Sequence, residues 1–367
     1  IDYIFIGEAE LTIIGAVESA KREQIPKIIQ AKEIIDLNLM PYPDYTAFYN
    51  YKSIIGYPIM TSRGCPNQCS FCASKDLAYR RWRMRSPEDC IKEISLAKKT
   101  ISPNIAVYIY DDNPTVHKKR FNDFLELFHR DIGGKIIIVN TRADAIDNTF
   151  LNLLKKCGIT SIMIGVEHAY PEVFKLVDKG ETLEQIEQAS KLIKKHGLGL
   201  GLSFVVGLPL DNLERTKYSI DFYNRMKADG GTVNAIIPFR GTTARKWFEE
   251  HGAKLYNEIG KSTGLSKNLE CTEPLVETPD FTKEERKRAY YMFLLNIGHD
   301  SLKLKKFHKI IMIAIKYNLY SDFIRWLPKG ITTAYALHKM RFFIGLNILK
   351  TQGLNELIKR YKFRNKD

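Results

Sequence analysis

What this chain has little of narrows its class before any motif is read. Six cysteines in 367 residues are too few for a disulfide framework, which points to a reducing, intracellular compartment. No uncharged apolar run reaches the roughly 18–20 residues that a membrane span requires. No repeat or low-complexity tract is visible. The start, Ile-Asp-Tyr-Ile-Phe-Ile, carries neither a Met nor the basic region of a signal peptide, so a fragment or processed chain is expected. Disorder as the general state is excluded, because 19 Phe, 19 Tyr and 3 Trp supply ample surface to bury.

The charge is lopsided. Of a formal net +14, the segment from Lys283 to Asp367 carries 19 Lys and Arg against 6 Asp and Glu, leaving the rest nearly neutral. A positive field therefore belongs to the tail.

Residues 1–6 read as a short buried strand and Leu11–Glu23 as a helix, followed by an extended, proline-punctuated linker over 25–58. From Ile59 onward strands and helices alternate. Strands are expected at Ile59–Ser62, Ala106–Tyr110, Ile136–Asn140, Ser161–Val166, Gly201–Val206 and Thr232–Ile237. Helices are expected at Pro87–Lys99, Lys118–Phe128, Asn148–Lys156, Leu183–His196 and Asn212–Met226. Such alternation implies an α/β fold with parallel strands and helical crossovers, either an open doubly wound sheet or a barrel.

The densest chemical signal is Arg63-Gly64-Cys65-Pro66-Asn67-Gln68-Cys69-Ser70-Phe71-Cys72, directly after the first of these strands. Three thiols in a C-x-x-x-C-x-x-C spacing let one loop wrap a 4Fe–4S cluster, each thiolate on a different iron and the fourth iron open. A zinc site would want a fourth protein ligand, and no nearby Cys or His completes a standard motif. Cys90, Cys157 and Cys271 have no mutual spacing and read as ordinary thiols, so a second cluster is not expected.

Cys65, Cys69 and Cys72, with Phe71 before the last, resemble the signature of the radical S-adenosylmethionine superfamily. The likeness extends from about Tyr57 to Glu249. Arg63-Gly64-Cys65-Pro66, Trp82-Arg83-Met84-Arg85-Ser86-Pro87, Asn140-Thr141-Arg142-Ala143-Asp144, Gly165-Val166-Glu167-His168, Lys179-Gly180 and Gly207-Leu208-Pro209 resemble its cobalamin-binding branch. Pro238-Phe239-Arg240-Gly241-Thr242 resembles the run on that family's sixth strand.

The resemblance implies a partial six-stranded β/α barrel, with the cluster at the C-terminal ends of the strands and S-adenosylmethionine bound at the open iron. Phe71, Asp111, Arg142, Glu167, Gly207 and Pro209 are then the expected cofactor contacts. Each has a plainer reading. Arg142 and Glu167 could be a structural ion pair, Asp111 a cap or turn residue, and the Gly-Leu-Pro run an ordinary turn rather than a platform for adenine. His168 reads either as a proton shuttle or as a structural histidine. Arg80, Arg81, Arg83 and Arg85 read as an anion grip or a solvated face.

Ile4-Phe5-Ile6-Gly7-Glu8-Ala9-Glu10 resembles the end of a Rossmann-like cobalamin domain, although the Asp-x-His-x-x-Gly ligand motif is absent. Cobalamin is therefore expected in a full-length parent. The expected domains are a remnant of that domain with its linker (1–40), the radical barrel (41–260) and a basic helical C-terminal region (261–367).

The expected function is a radical S-adenosylmethionine enzyme, a cobalamin-dependent methyltransferase or cyclase acting on an unactivated carbon of a small-molecule or lipid-like substrate. Ferredoxin or flavodoxin is the expected kind of reductant. The alternatives are a tRNA methylthiotransferase-like enzyme, whose extra domains have no counterpart here, and a non-catalytic iron–sulfur electron carrier, which would ligate all four irons.

In the tail, Phe307, Ile310, Ile311, Ala314 and Ile315, and again Leu337, Met340, Ile344 and Ile348, recur at helical spacing among Lys and Arg. This suits either a packed helical cap or peripheral contact with an anionic membrane from the cytoplasm. Nucleic acid is not expected, for want of aromatic stacking platforms.

Overall fold

The computed structural model describes residues 2–22, 25–31, 36–74, 81–138, 141–256, 273–297 and 307–326. The expectations placed on Arg80, Asn140, Cys271 and the second tail helix around Leu337–Ile348 lie outside them.

The chain opens with β1 (Ile4–Ile6), α1 (Ile13–Ala20) and β2 (Ile28–Gln30), the strands parallel with Ile4 opposite Ile28. This corrects the linker expectation, since a strand lies inside it and the start forms a βαβ unit. It also corrects the burial of the first strand. Ile4 and Ile6 are 44% and 49% exposed, and α1 buries no residue although Ile14 and Val17 stand on it.

The βα alternation follows as β3 (Gly56–Ile59), a short antiparallel pair of β4 (Ser62–Arg63) with β5 (Arg83–Met84), α2 (Pro87–Thr100), β6 (Ala106–Ile109), α3 (Lys118–Leu127), β7 (Ile136–Ile138) and α4 (Asn148–Lys156). Then come β8 (Ser161–Glu167), α5 (Pro171–Val177), α6 (Leu183–Lys195), β9 (Gly199–Val206), α7 (Leu213–Arg225) and β10 (Gly230–Ala235). The helix starts obey local chemistry. Ser86 accepts from the Asp89 amide ahead of Pro87, and Thr182 with Gln185 closes a reciprocal capping box.

The first strand falls three residues earlier than expected. Tyr57 and Ile59 bury their side chains, while Pro58 is tolerated because β3 is an edge strand in the order β3-β6-β7. The released residues Thr61 and Ser62 lead into the cysteine loop.

By its contacts the chain forms two units. The first comprises Ile1–Val166, Phe174–Ser203 and Phe239–Lys246. Here β3, β6 and β7 pair in parallel, with Tyr57 opposite Val107 and Val107 opposite Ile136. A parallel bridge from Thr141 to Ile164 carries the order on toward β8. Its core holds Ile59, Val107, Ile109, Phe121, Phe124 and Phe150.

The second unit comprises Glu167–Val173, Phe204–Pro238 and Trp247–Asp367. It contains the end of β9, then β10, and the helices α9 (Lys283–Ile297), α10 (Phe307–Lys316) and α11 (Tyr320–Trp326); α8 (Thr243–Glu250) and the hairpin of β11 (Lys254–Leu255) with β12 (Val276–Glu277) precede them. α9 packs on α7 and β10, and Phe293 meets Phe204 at 4.6 Å between ring centroids. Ile310, Ile311 and Ala314 of α10 are buried, so the described part of the basic tail uses its apolar stripe for packing. No helix among the described residues is long and apolar enough to cross a membrane.

Candidate functional site

In the first unit the cysteine loop starts where β3 stops, and three charged side chains, Asp111, Asp112 and Arg120, fix that point. Thr61 donates to Asp111 through its amide and hydroxyl, both at 2.6 Å, and the Ser62 hydroxyl adds a third bond at 2.5 Å. Arg120 of α3, 4% exposed, donates to the Thr61 carbonyl at 2.6 Å, the Thr61 hydroxyl at 2.9 Å and the Arg85 carbonyl at 3.0 Å. Burial pushes the Asp111 carboxyl above its ordinary value, opposed by the bonds from Ser62 and Thr61 and by the charge of Arg120. Asp112, the next residue, takes the Gly64 amide at 3.0 Å and the Ser74 hydroxyl at 2.9 Å. One carboxylate therefore holds both ends of the segment that carries the three cysteines. Gly64 sits at φ 88, a left-handed conformation that a side chain resists.

Within the loop the Cys72 amide bonds the Cys69 carbonyl at 3.1 Å. Ser70 between them is pinned on both sides, donating to Val177 O and accepting from Ala244 N, each at 2.8 Å. Cys65, Cys69, Cys72 and Phe71 are half-buried, and none of the three thiols is in a disulfide. Asn67 donates to the Cys65 sulfur at 3.2 Å. Among the described residues no group of three or more His, Cys, Asp or Glu side chains is placed to hold a metal ion. The donor set instead suits a cluster that asks one iron of each thiolate, and the buried Ser70 hydroxyl, which has no hydrogen-bond partner, suits neighbouring sulfur acceptors.

Of the arginines after the loop, Arg83 and Arg85 are neither an anion grip nor a solvated face, while Arg81 is exposed. Arg83 forks onto Glu8 at 2.7 and 2.8 Å, and Arg63 reaches Glu8 at 3.2 Å and Glu10 at 2.7 Å. The Gly-Glu-Ala-Glu run thus ties the opening βαβ unit to the strand pair that starts the loop. Arg85 is buried against Asp89 and Glu93.

Arg142 lies after β7, bonded to Asp144 at 2.8 Å and to the Lys179 carbonyl at 2.8 Å, with buried Glu181 at 3.9 Å. Burial would lower its guanidinium, but the bond to Asp144 and the charges of Glu181 and Asp144 raise it on balance. The structure brings Asp111, Arg142 and the cysteines together in one unit.

Glu167, Gly207 and Pro209 belong to the second unit. Glu167 ends β8 at φ 67, a conformation that a non-glycine residue holds only at a cost of about 1–3 kcal/mol. Gly207 turns at φ 89, its amide donating to Asp211 at 2.6 Å and its carbonyl accepting from Arg286 at 2.7 Å. The space its missing Cβ leaves is filled by the Arg286 guanidinium, 2.3 Å from where that Cβ would sit. His168 is 2% exposed and bonded at both ring nitrogens, to Asp211 at 3.0 Å and to the Tyr170 amide at 3.1 Å, which favours its structural reading over the proton shuttle. Cys90 and Cys157 are buried thiols, raised by desolvation to about 12 and about 11.

Arg120, Asp211 and Arg286 escaped the sequence reading. Arg120 and Arg286 each share a helical face with buried aromatics, Phe124 and Phe293 respectively, and a charge on an apolar stripe was the available signal. Asp211, four residues after a glycine turn, was readable as a turn-closing side chain.

The family model of the Radical SAM superfamily matches residues 59–223. The chain is 27% identical over 319 residues to an uncharacterized methyltransferase of Pyrococcus horikoshii, covering 80% of this chain and 68% of that one. It is 34% identical over 156 residues to the anaerobic magnesium-protoporphyrin IX monomethyl ester cyclase of Rubrivivax gelatinosus, covering 42% of this chain and 28% of that one. Among solved structures, the radical S-adenosylmethionine methyltransferase TsrM of Kitasatospora setae, with cobalamin and a 4Fe–4S cluster bound, superposes with a TM-score of 0.59 at 15% identity, over 92% of this chain and 76% of that one. That likeness shows the fold, the six strands being those of a partial β/α barrel. Residues 59–223 of the chain therefore match the Radical SAM superfamily.

Proposed function

We propose that this chain is a radical S-adenosylmethionine enzyme of the cobalamin-dependent kind, methylating or closing a ring at an unactivated carbon of a small or lipid-like molecule. The observation that carries the reading is a single loop with three half-buried thiols outside any disulfide, both of whose ends are held by Asp112. Cys65, Cys69 and Cys72 hold the 4Fe–4S cluster, and Asp111 with Arg120 fixes the strand end from which the loop springs. When bound, the cluster supplies, from a ferredoxin- or flavodoxin-like donor, the electron that cleaves S-adenosylmethionine to methionine and a 5′-deoxyadenosyl radical. Phe71 and Arg142 are the candidate cofactor contacts of the first unit, and Glu167 is that of the second. The Gly207–Pro209 turn offers its face to adenine. Support for Glu167 is its strained backbone at a strand end, where such strain commonly accompanies function.

The named relatives support methylation and cyclisation alike, and the bound cobalamin of TsrM supports a corrin-dependent reaction. The exposed apolar surface of the βαβ unit at the start favours a covering partner layer there, as a Rossmann-like cobalamin domain would have. Anaerobic reconstitution with reductant and S-adenosylmethionine tests the reading. Release of 5′-deoxyadenosine is expected, and a reconstituted protein that releases none contradicts it. S-adenosylhomocysteine as an additional product selects methyl transfer over cyclisation. For the tail, the buried stripe of α10 favours a packed cap, so peripheral membrane contact rests on residues 327–367; flotation with anionic vesicles at low and high salt decides it.

A further inference from the structure

Arg286, in the first turn of α9, is 3% exposed and forms no ion pair with a carboxylate among the described residues. A buried guanidinium in that position is costly unless its donors are used. Each of its three nitrogens donates, one of them to the Gly207 turn. Nη1 donates to the Gly207 carbonyl at 2.7 Å, Nε to the Phe281 carbonyl at 3.0 Å, and Nη2 to the Thr278 hydroxyl at 3.4 Å. The plane of the group is packed over Phe281, 4.6 Å from the ring centroid, with Phe248 at 5.8 Å.

The other side of Gly207 is held with opposite charge. Asp211 accepts the Gly207 amide at 2.6 Å, the Thr216 hydroxyl at 3.1 Å and His168 Nε2 at 3.0 Å. Because the Tyr170 amide donates to His168 Nδ1, the ring proton stands on Nε2 and points at Asp211. The amide of Gly207 is thus drawn toward a carboxylate and its carbonyl toward a guanidinium. Glycine is required twice, for φ 89 and because a Cβ would meet Arg286.

We propose that Arg286 is a positioning residue for the nucleoside half of S-adenosylmethionine. From α9 it sets the orientation of the Gly207–Pro209 turn, so that helix controls cofactor affinity without touching the cofactor. This rests on the reading of the turn as the adenine platform. A guanidinium spent only on stabilising the second unit would leave the chemistry of the folded protein unchanged, and the test separates the two.

The reconstituted full chain is compared with Arg286→Met, which keeps the stem but loses every donor, and Arg286→Lys, which keeps the charge and one donor. In reductive cleavage of S-adenosylmethionine the Met variant is expected to raise KM by about tenfold or more with kcat changed less than about threefold, at wild-type iron per chain. The Lys variant is expected to recover part of that loss. In the apo protein, backbone hydrogen exchange across residues 204–212 is expected to quicken in the Met variant, while the helices of the first unit stay as they were.

A wild-type KM in a folded Met variant overturns the assignment, and so does a loss of iron in parallel with affinity. Should the Met variant not fold, the Lys variant carries the test, and a wild-type KM there overturns it equally. Should the wild-type chain bind no S-adenosylmethionine, the platform reading fails and this proposal with it, even if the exchange experiment still shows Arg286 holding the turn.

Discussion

Gly64 and Gly207 adopt almost the same backbone, φ 88 and 89, and each gives its amide to an aspartate. They differ in how far the chain must travel to make that bond. Asp211 lies four residues beyond Gly207, whereas Asp112 lies 48 beyond Gly64. The turn at Gly207 can close locally at small entropic cost. The cysteine loop can be held only after β6 has paired with β3, because Asp111 and Asp112 follow directly on β6. The loop that carries the metal ligands is therefore the one whose shape depends on the completed sheet. The Gly207 turn acquires its long-range support separately, from Arg286, 79 residues on.

The comparison breaks most sharply at the thiols. Replacing Cys65, Cys69 and Cys72 with Ala is expected to abolish the visible absorbance and iron content of the reconstituted protein, leaving the Gly207 turn intact by hydrogen exchange; iron retained at the wild-type level contradicts the ligand assignment.

Next comes Arg120→Met, which removes the positive charge near the buried Asp111 carboxylate and the bonds to Thr61 and the Arg85 carbonyl. A loss of about 3–5 kcal/mol in urea unfolding is expected, with slower cluster uptake. A loss below about 1 kcal/mol would mean that Arg120 does not hold the loop.

Gly207→Ala is expected to cost about 1–3 kcal/mol through its left-handed backbone and the clash with Arg286. The double variant with Arg286→Lys should cost less than the sum of the two, because a shorter fork relieves the contact. Strict additivity would show that the two residues do not press on each other.

The smallest effect is on pH. Hydrogen bonds from Lys287 and Lys283 outweigh burial and hold the Glu273 carboxyl below its ordinary 4.5, and Lys287 with Lys316 does the same for Glu284. A lowered folded value stabilises the protein above pH 4.5, and this contribution is lost as pH falls through the folded value. Acid unfolding of a Lys287→Met variant should therefore show a shallower loss of stability below pH 4.5 than wild type.

Much of this architecture was legible in the chain. The helix starts at Pro87, Asn148 and Leu183 and the strand starts at Ala106, Ile136 and Ser161 fall where capping residues and apolar runs place them, since both signals are local. The triad was legible because a loop that wraps a cluster leaves its spacing in the sequence. What was missed was long-range. β2 was hidden among prolines and charges because its partner, β1, lies 24 residues away and gives it no alternating face. Glu8 read as part of a domain end, and nothing local says that it neutralises Arg63 and Arg83. Gly207 read as room for a base, and only the packed helix shows that Arg286 occupies the room beside it.

The central claim is that one loop holds a cluster with an open iron to which S-adenosylmethionine binds directly. The electron paramagnetic resonance spectrum of the dithionite-reduced, reconstituted protein tests it, recorded with and without S-adenosylmethionine. A 4Fe–4S signal whose g values shift on addition of the cofactor is the predicted result. A signal left unchanged at saturating cofactor, or the spectrum of a cluster with all four irons ligated by the protein, would contradict the account.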